Sequence, residues 1–442
     1  MAWLAGAALL AWPALLNGYP ILFSDTGAFL AQTLLPAMVW DKPYVYGPFL
    51  HLFHWRISLW LPMVAVLLGL SHLLWLAQRA VLGRARPGEH IRLCAGLAAL
   101  TSLPWFATLL MPDILAPALV LCLYLLGFAR LSWPETVWIT LLAALCAASH
   151  LSHLPLAAAL IALVLLLTRR LVPMLRCALP LGLALAVLVG TNWVGHGRPA
   201  VSPYGSVFAL ARLVADGPAA RVIEAACPAA GWHLCRWAGR LPTNSDAFLW
   251  SADGPVWSER LDGAQPGGPI SLAPEAALIV SLTIRHHPEE VAVIALRNAV
   301  TQLFRAGVGD VLGPEHLAAS VGLRLAEGGF PGWEQAAFAQ SRQSRGALQA
   351  LAGHFTWVHP PVLIIAVLGA LLAWWRAHKA GDMPRLAFVL CVLVGLSANA
   401  AATGALSMPH HRYQARIIWL LPLAAVLCRL PPRPGVPVED YA

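Results

Sequence analysis

The chain has 442 residues, of which 59% are hydrophobic and only 11% are charged. These fractions, with a mean hydropathy of +0.68, exclude a series of ordinary soluble domains and indicate a helical membrane protein. The formal net charge is +8, but most of the arginines lie in short loops between apolar runs, where they set membrane orientation. We therefore expect no nucleic-acid partner and take the lipid bilayer as the first partner.

Apolar runs of about 15 to 22 residues predict about ten membrane-spanning helices, because a helix needs about 20 apolar residues to cross a hydrocarbon core of about 30 Å. The predicted spans are 2–23, 57–78, 93–110, 112–129, 136–150, 154–168, 174–194, 359–375, 386–407 and 415–428. Pro112 and Asp113 separate the third span from the fourth, since both residues are costly in mid-membrane. A single re-entrant pair at this point is the alternative.

The arginines and lysines predict the orientation of these spans. One set of loops is rich in them, and it holds Arg79, Arg84, Arg86, Arg92, Arg130, Arg169, Arg170, Arg176, Arg376, Lys379, Arg385, Arg429 and Arg433. The opposite short loops hold only Lys42, Arg56, Arg412 and Arg416. We expect a bacterial inner membrane with both termini in the cytoplasm, and a retained first helix, since no basic segment or cleavage site marks a signal peptide.

The predicted fold class is an all-α polytopic membrane protein with a largely helical outward domain inserted before the last three spans. Residues 1–194 form an N-terminal transmembrane core of about seven helices, with an interfacial loop at 24–56. Residues 195–358 form the periplasmic domain, and residues 359–442 form the last helices and a short cytoplasmic tail.

The outward segments have predicted structure of their own. In the first loop, a short helix capped by Ser24 or Asp25 is expected to lie flat on the membrane. In the second, Pro288 opens an amphipathic helix, whose apolar face consists of Val293, Leu296, Val300, Leu303 and Phe304. This face suits either the bilayer surface or the spans.

Cys227 and Cys235 stand eight residues apart in the outward segment, whereas the other cysteines lie in or beside apolar spans. An oxidising periplasm would join this pair in a disulfide. Two free thiols are the alternative. Zinc ligation is disfavoured, because only His233 lies nearby and the spacing fits no common zinc pattern.

Three carboxylates remain at the outward membrane surface: Asp25, Asp41 and Asp113. An ionisable group at the end of a span is a candidate functional residue. Asp25 and Asp113 have a second interpretation as helix caps, and Asp41 is expected to mark a turn before Pro43.

Cationic and aromatic residues gather on the same side. Arg412 and Arg416 are four residues apart, so they share a helix face and can present guanidinium groups to a phosphate, although either alone could be a membrane anchor. Candidate lipid or acceptor contacts are Tyr44, Tyr46, His51, His54, His150, His153 and Tyr413. A metal ion held by His150 and His153 is disfavoured against interfacial hydrogen bonding.

This layout resembles the GT-C superfamily of integral-membrane glycosyltransferases, which use polyprenyl-phosphate sugars. The resemblance rests on Phe23-Ser24-Asp25-Thr26, Met111-Pro112-Asp113, the long segment after Trp193, and Arg412-Tyr413-Gln414-Ala415-Arg416. It implies that Asp25 is the base or acceptor-orienting carboxylate and Asp113 its helper, with Arg412, Arg416 and His411 at the donor phosphate. It also implies inverting transfer to a glycan, lipid or protein acceptor, and leaves a requirement for a divalent cation open.

Other classes stay open. A transporter or flippase would place polar groups deep in the spans and repeat its halves, and few such groups occur, His72 and Asn399 among them. A lipid-linked oligosaccharide polymerase or ligase would not need Asp25 as a base. A non-catalytic assembly partner would use the outward carboxylates only as caps and turn formers.

Overall fold

Helices form the regular secondary structure of residues 1–35, 38–258 and 267–429, which the computed structural model describes. Within these ranges there is no β-strand, and a single parallel bridge joins Ile21 to Leu109. The all-helical prediction is confirmed. By their contacts the residues form two units. Of the described residues, unit 1 contains those of Met1–Val187, Arg305–Asn399 and 411–429, and unit 2 contains those of Leu188–Phe304 and Ala400–His410.

The N-terminal part of unit 1 contains eleven of the described helices, the last of which continues beyond it. They are α1 (Ala2–Leu10), α2 (Trp12–Asn17), α3 (Ser24–Leu34), α4 (Tyr46–His54), α5 (Trp60–Leu82), α6 (Pro87–Leu100), α7 (Leu103–Ala107), α8 (Leu115–Phe128), α9 (Trp133–Ala148), α10 (His153–Thr168) and α11 (Leu171–His196), which continues into unit 2. Helix α8 is buried on every side from Leu115 to Leu126 and packs against α5, α9 and α10. Its uniform apolarity therefore reflects a position at the centre of the core.

Unit 2 is a smaller helical assembly. Its helices are α12 (Gly205–Ala215), α13 (Pro218–Ala226), α14 (Ser245–Trp250), α15 (Pro269–His286) and α16 (Pro288–Leu303). Helix α12 packs against α13, α14 and α15. Cys227 and Cys235 form the predicted disulfide. Helix α16 begins at Pro288 as predicted, and Val293, Leu296 and Val300 on its apolar face are each at least half exposed.

The remaining helices complete unit 1. They are α17 (Leu323–Glu327), α18 (Gly332–Gln340), α19 (Leu348–Thr356), α20 (His359–Ala380), α21 (Met383–Leu406), which continues into unit 2, α22 (His411–Ala415) and α23 (Leu420–Leu427). Residues 305–358, which the sequence assigns to the outward domain, therefore belong with the N-terminal helices. Buried hydrogen bonds explain this placement, because Tyr19 donates to Glu334 and Leu22 donates to Gln343.

Four helices are long and apolar enough to cross a membrane: α5, α11, α20 and α21. They coincide with four of the predicted spans. Other predicted spans are shorter or interrupted. The first is divided between α1 and α2: Pro13 lies in the first turn of α2, and Gly18 ends that helix in the left-handed conformation. The structure thus supports a helical membrane protein, while the number of ten spans stays a prediction.

Candidate functional site

Three segments of unit 1 that are distant in sequence meet at one cluster of charged side chains. Asp25 lies in the first turn of α3, Asp113 lies in a short 3-10 turn before α8, and Arg412 lies in α22. Arg416 follows α22 directly. The cluster is defined by Asp25, Asp41, Lys42, Asp113, Arg412 and Arg416. The sequence predicts Asp25, Asp113, Arg412 and Arg416 at the outward ends of helices, and Asp41 in a turn.

Backbone hydrogen bonds bring the first two segments together. The amide of Ile21 donates to the carbonyl of Thr108 at 3.0 Å, and the amide of Leu110 donates to the carbonyl of Ile21 at 2.9 Å. The hydroxyl of Thr26 accepts from the amide of Phe23 and donates to the carbonyl of Leu110. The chain just before Asp25 is therefore fastened to the chain just before Asp113.

Asp25 does not cap α3, which was one interpretation of this residue. Helix α3 begins at Ser24, Phe23 occupies the N-cap position, and neither Ser24 nor Asp25 caps the helix. The side chain that bonds to the backbone at this end is that of Thr26. The Asp25 carboxylate instead faces Lys42, whose Nζ lies 3.4 Å from Asp25 Oδ1. No side-chain cap precedes α8 either, so Asp113 is also free for other contacts.

Asp113 is held by two guanidinium groups. Its Oδ1 atom lies 3.8 Å from Arg412 Nε and 3.5 Å from Arg416 Nη1. The Asp113 side chain is only 4% exposed and that of Arg416 only 1%. Buried charges must be paired, so this triad explains how two arginines lie beside one another at the end of an apolar chain segment.

Neutral groups complete the surroundings of Arg416. Its Nη2 atom donates to Asn399 Oδ1 at 2.9 Å and to Ser152 Oγ at 3.2 Å. Asn399 Nδ2 donates in turn to the carbonyl of Tyr413 and to Gln414 Oε1. The polar group that the sequence places within a late span thus serves to orient Arg416.

Three buried donors in this region lack a hydrogen-bond partner among the described residues: Arg412 Nη1, Arg416 Nε and the hydroxyl of Tyr46. Tyr46 is fully buried, and the charge of Asp113 acts on its hydroxyl. Buried donors are normally satisfied. An anionic or hydroxylated ligand could supply the acceptors that these three donors lack.

The charges of the cluster shift the pKa values of Asp25 and Lys42. Burial would raise the pKa of the Asp25 carboxyl, but the nearby charges of Lys42 and Arg412 more than offset this effect and lower it. Burial would lower the pKa of Lys42, yet its two carboxylate neighbours raise it. Both groups are therefore charged near neutral pH.

The predicted histidines have different surroundings. His150 Nδ1 lies 2.8 Å from Ser152 Oγ, which links the ring to Arg416. His153 bonds to the carbonyl of Cys146 through Nδ1, and its ring lies 5.3 Å from that of His150.

The other candidates lie outside the charged cluster or at its edge. His51 and His54 pack against each other, and His54 is buried against Phe330. His411 is exposed and its Nδ1 accepts a hydrogen bond from the amide of Gly307. Tyr44 is half-buried in the loop before α4, whereas the ring of Tyr413 contacts both Arg412 and Arg416.

Sequence reasoning did not assign a role to Lys42, Ser152 or Gln414. Lys42 is the lysine of the first outward loop and adjoins Asp41, which is the one signal that could have found it. Ser152 and Gln414 carry no signal of their own, because their roles depend on contacts with Arg416 and Asn399. Across the described ranges, no group of three or more His, Cys, Asp and Glu side chains could hold a metal ion.

In comparisons with family models, with curated proteins and with solved structures, nothing matches the chain.

Proposed function

We propose that the chain is an integral-membrane glycosyltransferase of GT-C type, which moves a sugar from a polyprenyl-phosphate donor to an acceptor hydroxyl on the periplasmic side of a bacterial inner membrane. The observation that carries the proposal is the meeting of Asp25 and Asp113 with Arg412 and Arg416. This set combines an accessible carboxylate with cationic donors that still lack acceptors. Base and phosphate ligand are the two functions that such a transfer needs.

Asp25 is the proposed base. Its side chain is 31% exposed, against 4% for Asp113, and it is ionised near neutral pH. In the proposed step, the acceptor oxygen forms a bond to the anomeric carbon while the bond from that carbon to the phosphate oxygen breaks. Polyprenyl phosphate leaves with the electron pair, the acceptor proton passes to Asp25, and attack opposite the leaving oxygen inverts the sugar.

Arg412 and Arg416 are the proposed ligands of the donor phosphate. Negative charge grows on the phosphate as the bond to the sugar breaks, and guanidinium donors stabilise that charge. Arg412 Nη1 and Arg416 Nε are the donors free to do so among the described contacts. Asp113 then acts as a positioning residue, because its carboxylate holds both guanidinium groups.

The test uses the full chain in proteoliposomes and two probes, polyprenyl phosphate without a sugar and a panel of polyprenyl-phosphate hexoses. We expect polyprenyl phosphate to raise the melting temperature of the wild type and of Asp25→Asn, but not of Arg412→Gln. We expect Asp25→Asn to lower sugar transfer by roughly 10²- to 10⁴-fold, the usual contribution of a general base.

Two outcomes would overturn the proposal. Sugar transfer by Asp25→Asn at the rate of the wild type would favour a lipid-linked oligosaccharide polymerase or ligase. Movement of the lipid across the bilayer with no transfer to any acceptor would favour a transporter or flippase.

A further inference from the structure

Lys42 lies between two carboxylates of the charged cluster. Its Nζ atom is 2.6 Å from Asp41 Oδ2 and 3.4 Å from Asp25 Oδ1. The Lys42 side chain is 12% exposed and that of Asp41 is 7% exposed, so this is not a solvated surface pair. Two carboxylates that share one cation in this manner resemble the arrangement in which proteins hold a divalent ion.

The loop that carries Lys42 is fastened to α3. Gln32 Nε2 donates to the carbonyl of Pro43 at 3.0 Å, and Gln32 Oε1 accepts from the amide of Gly47 at 3.1 Å. Gly47 lies so close to α3 that a Cβ atom there would come within 2.3 Å of the Phe29 carbonyl oxygen. The position of the ammonium group is therefore set by the same helix that carries Asp25.

We propose that Lys42 is the built-in cation of this site: its ammonium group takes the place between the Asp25 and Asp41 carboxylates that a divalent metal ion would otherwise occupy, and it orients Asp25 toward the acceptor. The orienting role rests on the proposed glycosyltransferase function. The occupation of the cation position does not, and it can be measured without any transfer.

Charge and size support this assignment. An ammonium group is a compact point charge with three donors, which suits a position shared by two carboxylate oxygens. The positive charge of Lys42 would repel a divalent ion, and the charge of the nearby Arg412 adds to this repulsion. The wild-type chain is therefore expected to work without added divalent metal.

The experiment is a Mn²⁺ titration of the full chain in lipid nanodiscs, followed by the relaxation of solvent water protons. We expect no saturable binding by the wild type in the millimolar range. Lys42→Ala leaves Asp25 and Asp41 without their shared cation and is expected to bind one Mn²⁺ per chain. Adding Asp41→Asn to this variant should abolish the binding.

The matched control is Lys379→Ala. Lys379 is the second of the two lysines of the chain and packs over the Trp375 ring at 4.3 Å. The Lys379→Ala variant changes the same residue type at a place with no carboxylate pair in its described contacts. This variant should bind Mn²⁺ no better than the wild type. Lys42→Met, which keeps the aliphatic stem, replaces Lys42→Ala if the alanine variant does not fold.

Transfer supplies a second readout. We expect chelation of divalent metal ions to leave the transfer rate of the wild type unchanged. We expect Lys42→Ala to lower the transfer rate roughly 100-fold, the loss that follows when a reacting group is misplaced by about 1 Å. Added Mn²⁺ should restore part of this loss, which a merely structural role of Lys42 would not predict.

The proposal is overturned if the wild type binds Mn²⁺ saturably and Asp25→Asn or Asp41→Asn removes that binding. It is also overturned if the folded Lys42 variant gains no Mn²⁺ affinity. Absence of transfer by the wild type would contradict the proposed function alone, because the titration still decides which cation occupies the position.

Discussion

Arg416 and Asn399 form a 2.9 Å hydrogen bond inside unit 1, between a guanidinium group that is 1% exposed and an amide on α21. Asn399 uses its own amino group to hold the carbonyl of Tyr413 and the side chain of Gln414. One neutral side chain thus fixes both the arginine and the turn of backbone that precedes it.

Replacing Asn399 by alanine is expected to lower the free energy of unfolding by about 1–3 kcal/mol. The change removes the acceptor of one buried Arg416 N–H and the donor to the carbonyl oxygens of Tyr413 and the Gln414 side chain. Denaturation of the purified protein in detergent measures this change. Thr301→Ala is the control, since the Thr301 hydroxyl bonds only to the Arg297 carbonyl within α16 in the described contacts. Equal stability of the two variants would contradict the assigned role.

Loss of the Asp113 charge is expected to lower the free energy of unfolding more than the Asn399 substitution does. Asp113→Asn leaves Arg412 and Arg416 side by side without their shared anion, and breaking such a buried pair typically costs about 3–5 kcal/mol. Asp25→Asn removes a carboxylate that is 31% exposed and should destabilise the chain much less. The melting temperatures of the two variants, taken in one detergent, test this order. Greater destabilisation by Asp25→Asn would count against it.

Asp25 also predicts a pH dependence. Its pKa is lower in the folded chain than the ordinary value of 3.8. Its charged contacts therefore stabilise the fold above that ordinary value, and this contribution disappears as the pH falls through the lowered one. If Asp25 is the base, the acidic limb of the pH profile of the transfer rate should lie below pH 3.8.

In Lys42→Ala the burial of Asp25 is opposed by fewer charges, so the acidic limb should move to higher pH. The pH profile of transfer in the two proteins measures the shift. An unmoved limb would show that Lys42 does not act on the titrating group.

The disulfide in unit 2 predicts sensitivity to reductant. Closing the short loop between Cys227 and Cys235 stabilises the folded chain by roughly 2–4 kcal/mol through the unfolded state. We expect limited proteolysis near α13 to accelerate in reductant and in Cys227→Ser. Cleavage within unit 1 should change little, because its described cysteines are free thiols in apolar surroundings. Equal cleavage with and without reductant would contradict this expectation.

Several features of the structure could be predicted from the sequence because their signals are local. The start of α16 follows from Pro288 and two glutamates, and the Cys227–Cys235 pair follows from a spacing of eight residues. The four long apolar helices follow from hydropathy. Asp25, Asp113, Arg412 and Arg416 are predicted individually, from their positions at helix ends, whereas Asp41 is predicted as a turn residue.

Other features required the tertiary structure. The apolar composition of the run 2–23 does not show that it is divided between α1 and α2, and Pro13 is the local signal for that division. The assignment of residues 305–358 to unit 1 depends on buried bonds such as Glu334 with Tyr19, which join positions that no local pattern relates.

The sequence by itself thus determined the class of the protein, its helical character and the residue types at the ends of its spans, because hydropathy, proline and cysteine spacing act over a few residues. Only the tertiary structure decided that Lys42 bridges Asp25 and Asp41, and that Asp113 lies between Arg412 and Arg416. The physical reason is burial: removing charges from water forces each to find a partner, and which partner lies within reach is set by the packing of segments hundreds of residues apart.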